Sequence, residues 1–169
     1  MGLSFLPKIR VKSVTELTPA VLKENNIRLL MLDFDNTIVP YTTDIPTTEM
    51  DAWLKTMVES DIEICVVSNS KRDRVKIFCQ KYGITCITHA KKPSPKGVLE
   101  AVSKYGIPKS QCALAGDQIY TDTMAANFAG VTGILVEAIN QHNIWLKLRH
   151  VAEMPFVWMS RGRKLRIKN

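Results

Sequence analysis

Five short apolar runs constrain this chain more than any other feature. They are RLLMLD at 28–33, IEICVVS at 62–68, ITCIT at 84–88, CALAGD at 112–117 and VTGILV at 131–136. Each run is continuous rather than alternating, which is the pattern of a strand covered on both faces. Helix-like segments fall between them. Residues 47–59 carry Met50, Trp53, Leu54, Met57 and Val58 at helical spacing after Thr47 and Thr48. Residues 71–82 follow Ser70 and carry Val75, Phe78 and Cys79. Residues 95–104 open with Pro95 and carry Val98, Leu99 and Val102, and 121–129 run from Thr121 to a stop at Gly130. A further helix is expected over 19–25, with Thr18 as cap and Pro19 at its first position, and another over 140–152. Strands alternating with helices predict a doubly wound α/β fold, a parallel sheet of about five strands with helices on both faces.

The 169 residues fit one domain. We expect it to span 1–169, with less regular ends at 1–17 and 153–169. Hydrophobic residues make up 46% and charged residues 23%, which excludes disorder as the main state. No apolar run approaches the ~18–20 residues that a membrane-spanning helix needs. The opening MGLSFLPKIRVK is too short in its apolar part for a secretory signal, and Leu6 stands where a myristoylation pattern needs Ser or Thr. A cytoplasmic chain is therefore expected. Cys65, Cys79, Cys86 and Cys112 form no CxxC pair and no zinc spacing with His89, His142 or His150, so they read as reduced structural thiols.

The net charge is +7, and residues 145–169 alone supply +6 of it. A near-neutral body with a basic end points to an anionic partner for that end.

Ligands of doubly wound sheets bind outside the carboxyl ends of the strands, at the switch in strand order. The first run ends in Asp33-Phe34-Asp35-Asn36-Thr37 and the second in Ser68-Asn69-Ser70. The third is followed by Lys91-Lys92-Pro93, and the fourth by Gly116-Asp117 and then Thr121-Asp122. In extended chain, residues i and i+2 point the same way, so Asp33 and Asp35 face the site and Phe34 turns into packing. Asp117 adds a third carboxylate. Like charges at that density call for a cation, and hard oxygen ligands at an open rim suit Mg²⁺. A lysine and a serine beside it are phosphate-binding groups.

Each piece alone is ordinary: an Asp after a strand caps helices, Ser-Asn makes turns, and a lysine before proline sits in a loop. Their order and common placement carry the reading. LDFDNTIV, VVSNS, KKPSPKG and AGDQIYTD together resemble the haloacid dehalogenase (HAD) superfamily of phosphohydrolases, over residues 31–122. The combination is most similar to the YqeG-type branch, which is itself similar to phosphatidylglycerophosphate phosphatases. The resemblance implies a Rossmann-like, capless HAD fold and a Mg²⁺-dependent phosphatase. It implies Asp33 as the nucleophile that forms an aspartyl-phosphate, and Asp35 as the group that protonates the leaving oxygen and then activates water. Thr37, a substrate-side residue, would orient Asp35, and Ser68 would bond a phosphoryl oxygen with help from the backbone of Asn69. Lys92 would neutralise charge on Asp33, with Lys91 and Lys96 left open as alternatives. Mg²⁺ would be held by Asp33, Asp117 and the main-chain carbonyl of Asp35, with Asp122 supporting from behind.

Between Thr37 and Ser68, and between Asn69 and Lys91, the chain leaves no room for a cap domain. An open site suits a bulky phosphorylated substrate, including one embedded in lipid. FLPKIRVKSV (5–14), IWLKLRHV (144–151) and FVWMSRGRKLRIK (156–168) mix large apolar residues with Lys and Arg. Trp145 and Trp158, with Arg161, Arg163, Lys164, Arg166 and Lys168, suit an anionic membrane surface. Packing of these ends onto the domain is the plainer alternative. Nucleic acid is a weaker candidate, since no recognised motif for it is present. A partner subunit shielding the open site is a further option. The competing functions are a phosphatase of another soluble, nucleotide or polymer phosphate, and a binding module for RNA, ribosome or membrane.

Overall fold

The computed structural model describes residues 6–71 and 73–139. The expected helix at 140–152 and the basic end, including Trp145, Trp158 and Arg161 to Lys168, lie outside the described residues.

The described chain builds one parallel sheet of six strands, β1 (Ile9–Val11), β2 (Leu29–Leu32), β3 (Glu63–Val67), β4 (Thr85–Ile87), β5 (Cys112–Gly116) and β6 (Thr132–Val136). Their order across the sheet is β1-β6-β5-β2-β3-β4. The five apolar runs are β2 to β6. The sixth strand corrects the expected count. Ile9, Arg10 and Val11 pair in parallel with Ile134, Leu135 and Val136. The mixed apolar and basic run at 9–11 thus forms a sheet edge, with Val11 buried against β6.

The helices are α1 (Pro19–Glu24), α2 (Thr48–Val58), α3 (Arg74–Tyr82), α4 (Lys96–Tyr105) and α5 (Met124–Ala129). Thr18 and Thr47 cap α1 and α2 by accepting from the N–H groups of Val21 and Met50. Two helix starts fall later than the apolar spacing predicts. Ser70 is not a cap; its own N–H bonds the Ser68 hydroxyl, and α3 begins at Arg74. Before α5, residues Ile119–Thr123 form a turn of π-helix, and Thr121 uses its hydroxyl on Gln118 rather than on the helix N-terminus. Such widened turns recur at functional sites, because they re-aim the side chains they carry.

The pleat divides the core in two. Leu30 and Leu32 of β2, with Ile64 and Val66 of β3, face Leu22 of α1, Met50, Leu54 and Met57 of α2, and Val75 and Phe78 of α3. Leu29 and Met31, with Cys65 and Val67, face Val98 and Ala101 of α4 and Ala125 and Ala126 of α5. Both faces of the central strands are therefore covered, as their continuous apolar runs require. The segments between β2 and β3 and between β3 and β4 hold α2 and α3, and neither carries a cap domain. No described helix is long and apolar enough to cross a membrane. The four cysteines are free, and burial pushes the Cys65 thiol up to about 12 and the Cys112 thiol up to about 11. Cys65, Cys79 and Cys112 are buried packing groups.

Candidate active site

The chain leaves β2 toward β3 on one side of the sheet, and leaves β5 toward β6 on the other. The strand order reverses between these two neighbours, which opens a crevice at their carboxyl ends. Asp33 follows β2 and Asp117 follows β5, so both fall at this crevice, and the Asp33 N–H is tied to the Ala115 carbonyl at 2.9 Å.

Asp33, Asp117 and Asp122 are all buried, with carboxylate oxygens within 4.8 Å of one another. Lys92 reaches into the same cluster. Its Nζ lies 2.6 Å from Asp33 Oδ1 and 2.7 Å from Asp122 Oδ1. Lys91 and Lys96 are exposed, so Lys92 is the lysine that meets Asp33. Asp122 is also held from its other oxygen, which accepts the Gln118 N–H at 3.1 Å. It stands closer to the cluster than a purely supporting residue, because the π-turn swings it beneath β5.

Asn69 does something the sequence reading did not assign to it. Its side chain accepts the Lys92 N–H at 2.7 Å and donates to the Lys92 carbonyl at 2.9 Å. This two-point grip fixes the backbone from which Lys92 projects. Gly97 serves the same loop, since a Cβ there would stand 2.6 Å from the Ala90 Cβ. Ser68 is buried, and its hydroxyl accepts the Ser70 N–H at 3.1 Å.

Asp35 stands apart from the acidic cluster. Phe34 between them is fully buried and packs edge-on against Phe78 at 5.2 Å, as the alternation predicts. The Asp35 carboxylate pairs with Arg74 of α3, a residue the sequence reading passed over. Nothing in the apolar spacing of α3 marks Arg74, and only its distance of a few residues from Ser68 could have drawn notice. Thr37 is a correction of another kind. Its hydroxyl is buried and has no hydrogen-bond partner among the described residues, so it does not orient Asp35.

Burial pushes the Asp117 carboxyl up from 3.8 to about 8, and the charges of Asp33 and Asp122 push it the same way. Burial also raises Asp33 to about 7, opposed by Lys92 and assisted by Asp122. Burial alone would lower Lys92, but Asp122 and Asp33 hold it above its ordinary value. Ionised, the three carboxylates outweigh the single lysine by two negative charges. Asp117 Oδ1 is buried with no hydrogen-bond partner among the described residues. A hard divalent cation meets both conditions, since it supplies two positive charges and takes oxygen ligands. The residues present fit Mg²⁺.

Comparison with known proteins agrees with this geometry. Residues 3–139 match the family described as Mitochondrial PGP phosphatase. This chain belongs to that family. It is 37% identical over 132 residues to the "Probable phosphatase YqeG" of Bacillus subtilis (strain 168), covering 78% of this chain and 77% of that one. It is 25% identical over 173 positions to the "Phosphatidylglycerophosphate phosphatase 1, chloroplastic/mitochondrial" of Arabidopsis thaliana, covering 94% of this chain and 49% of that protein. The chain therefore spans about half the length of the plant relative. Among solved structures, a HAD-superfamily hydrolase from Ehrlichia chaffeensis shares the fold, with TM-score 0.51 and 17% identity over 80% of this chain and 98% of that one. The protein is a phosphatase, a hydrolase of phosphoric monoesters, with the fold of a HAD-superfamily hydrolase.

Two expectations follow for this phosphatase. A Cβ at Gly116 would lie 2.3 Å from Asp122 Oδ2, and Asp122 is pinned by Lys92 and Gln118. Gly116→Ala should displace Asp122 and lower phosphatase turnover by roughly 100-fold, while circular dichroism shows the fold retained.

The second concerns pH. Raised carboxyl groups keep their protons in the folded state while the unfolded chain has lost them. Without metal, stability should therefore fall as pH rises from about 4 to about 8. Mg²⁺ needs the ionised groups, so it should bind more tightly over the same range. The gap in melting temperature with and without Mg²⁺ should widen from about pH 5 to about pH 8. A gap independent of pH would contradict these assignments.

Proposed function

We propose that this HAD-type phosphatase is Mg²⁺-dependent, works through an aspartyl-phosphate on Asp33, and takes phosphatidylglycerophosphate as its substrate. The observation that carries the reading is the buried lysine bridge, with Lys92 Nζ at 2.6 Å from Asp33 and 2.7 Å from Asp122 beside the unpartnered oxygen of Asp117. Buried charges in this number are costly to stability, and their arrangement suits phosphoryl transfer.

Mg²⁺ would be held by Asp33, Asp117 and the Asp35 carbonyl. When bound, it offsets the negative charge of the carboxylates and of the phosphoryl oxygens. An Asp33 oxygen attacks phosphorus as the bond from phosphorus to the leaving oxygen breaks, and Asp35 gives that oxygen its proton. Asp35 then takes a proton from water as the water oxygen attacks phosphorus and releases Asp33. Lys92 stays against Asp33 and balances charge, and Ser68 offers its hydroxyl to a phosphoryl oxygen. Asp122 keeps Lys92 aimed. The names of the family and of the plant relative support the substrate. So does the capless edge, which leaves the crevice open to a phosphate borne on a large lipid.

Asp33→Asn should cut turnover by at least about 1,000-fold with little change in melting temperature, and EDTA should abolish the wild-type rate until Mg²⁺ is restored. Residual activity near a tenth of wild type would remove Asp33 from its role. A panel of phosphatidylglycerophosphate in mixed micelles against sugar, nucleotide and small acid phosphates tests the substrate. Preference for a soluble phosphate would replace the lipid.

The basic end belongs to the same proposal. We expect 145–169 to dock on anionic membrane rather than to join the chemistry. Charge reversal at Arg161, Arg163, Lys164 and Arg166 should weaken binding to anionic liposomes and reduce activity on lipid-embedded phosphate in parallel, while activity on a soluble phosphate changes little. Loss of soluble-substrate activity with unchanged liposome binding would mean that the end packs on the domain.

A further inference from the structure

We propose that Arg74 is a positioning residue for Asp35, a fixed guanidinium that aims the carboxyl group at the leaving oxygen. The inference rests on the reading of Asp35 as the proton donor. Arg74 opens α3, and its side chain is only 14% exposed. Nη2 pairs with Asp35 Oδ1. Nη1 lies 2.8 Å from Asp44 Oδ1 and donates to the Tyr41 carbonyl at 3.5 Å. The guanidinium carbon sits 5.1 Å from the centre of the Phe34 ring. That ring is fully buried and braced by Phe78, one turn further along α3.

The guanidinium is thus held on one face by an aromatic ring and at its edge by two carboxylates and a carbonyl. Arginine can do this because its planar fork binds several acceptors in fixed directions, whereas a lysine is a point charge on a flexible stem. The loop that supplies Asp44 is itself anchored, since the Tyr41 N–H donates to Asn36 Oδ1 at 3.1 Å. Asn36 directly follows Asp35, so the loop closes back on the residue that the arginine aims. Thr37, the other candidate for this task, makes no hydrogen bond with its hydroxyl among the described residues.

A proton donor matters in proportion to how badly the leaving oxygen needs a proton. Phenyl phosphate needs one, and 2,4-dinitrophenyl phosphate, whose leaving phenolate is a far weaker base, does not. A misaimed Asp35 should therefore damage the first reaction selectively, which a general loss of structure would not do. The experiment measures kcat/KM in the presence of Mg²⁺ for wild type, Arg74→Met and Asp35→Asn on both substrates. Arg74→Met should lose about 100-fold on phenyl phosphate and less than about 5-fold on the dinitrophenyl ester. Asp35→Asn should show the same selectivity more strongly.

Equal loss on the two substrates in Arg74→Met, with the selectivity intact in Asp35→Asn, overturns the positioning role alone. Absence of selectivity in Asp35→Asn overturns the proton-donor reading and this inference with it. Should Arg74→Met fail to fold, Asp44→Asn replaces it, since it keeps the arginine and removes its anchor. A smaller loss confined to phenyl phosphate then supports the proposal, and equal rates or equal losses on both substrates overturn it.

Discussion

The ion pairs of Lys92 are the contacts around which the rest of the site is arranged. A lysine that is 5% exposed can stay charged only if carboxylates meet it, and Asp33 and Asp122 do so from opposite directions in the chain. The surrounding structure exists to keep that meeting in place. Asn69 grips the lysine's backbone from β3, and Gly97 lets α4 close under the same loop. Gly116 clears the space that Asp122 occupies, and the π-turn delivers it there. Removing one partner from such a set strands the others in a medium of low polarity, at a cost of about 3–5 kcal/mol. The same frustration that weakens the fold creates the demand for a divalent cation.

Much of this was readable in the residues, for a physical reason. Strands buried on both faces must be apolar throughout, so β2 to β6 announced themselves as continuous runs. Once they alternate with helices, the topology delivers every strand end to one edge. Asp33, Lys92 and Asp117 could then be placed at one edge without coordinates. Strand β1 was not readable in this way. Its three residues alternate apolar with basic because an edge strand is half exposed, and that pattern also suits a surface segment.

What the residues did not reveal concerns side-chain partners rather than backbone. Asp35 was expected beside Asp33, and the backbone does present the two carboxylates at alternate positions. The Asp35 carboxylate pairs with Arg74, 39 residues away in sequence. Asn69 was read as a backbone contact, and its amide turned out to clasp a loop 23 residues further on. Such long-range contacts obey no local periodicity, so no pattern in the residues around them reveals them. The Lys92 loop itself was legible because a proline follows it, but its partner Asp122 depends on a turn after β5 that takes π geometry.

The pairing of β1 with β6 has a consequence for how the molecule assembles. Ile9 meets Ile134 across the sheet, so the first strand of the chain finds its place only after the last described strand exists. The crevice between β2 and β5 needs neither of them directly. During synthesis the interior strands can order first, while β1 remains without its neighbour and β6 has yet to emerge. Closing so long a loop carries only a slowly growing entropic penalty, and it covers the open edge that β6 would otherwise present to other chains. Strand β1 thus acts as a late clasp, covering the β6 edge once the rest of the sheet is in place.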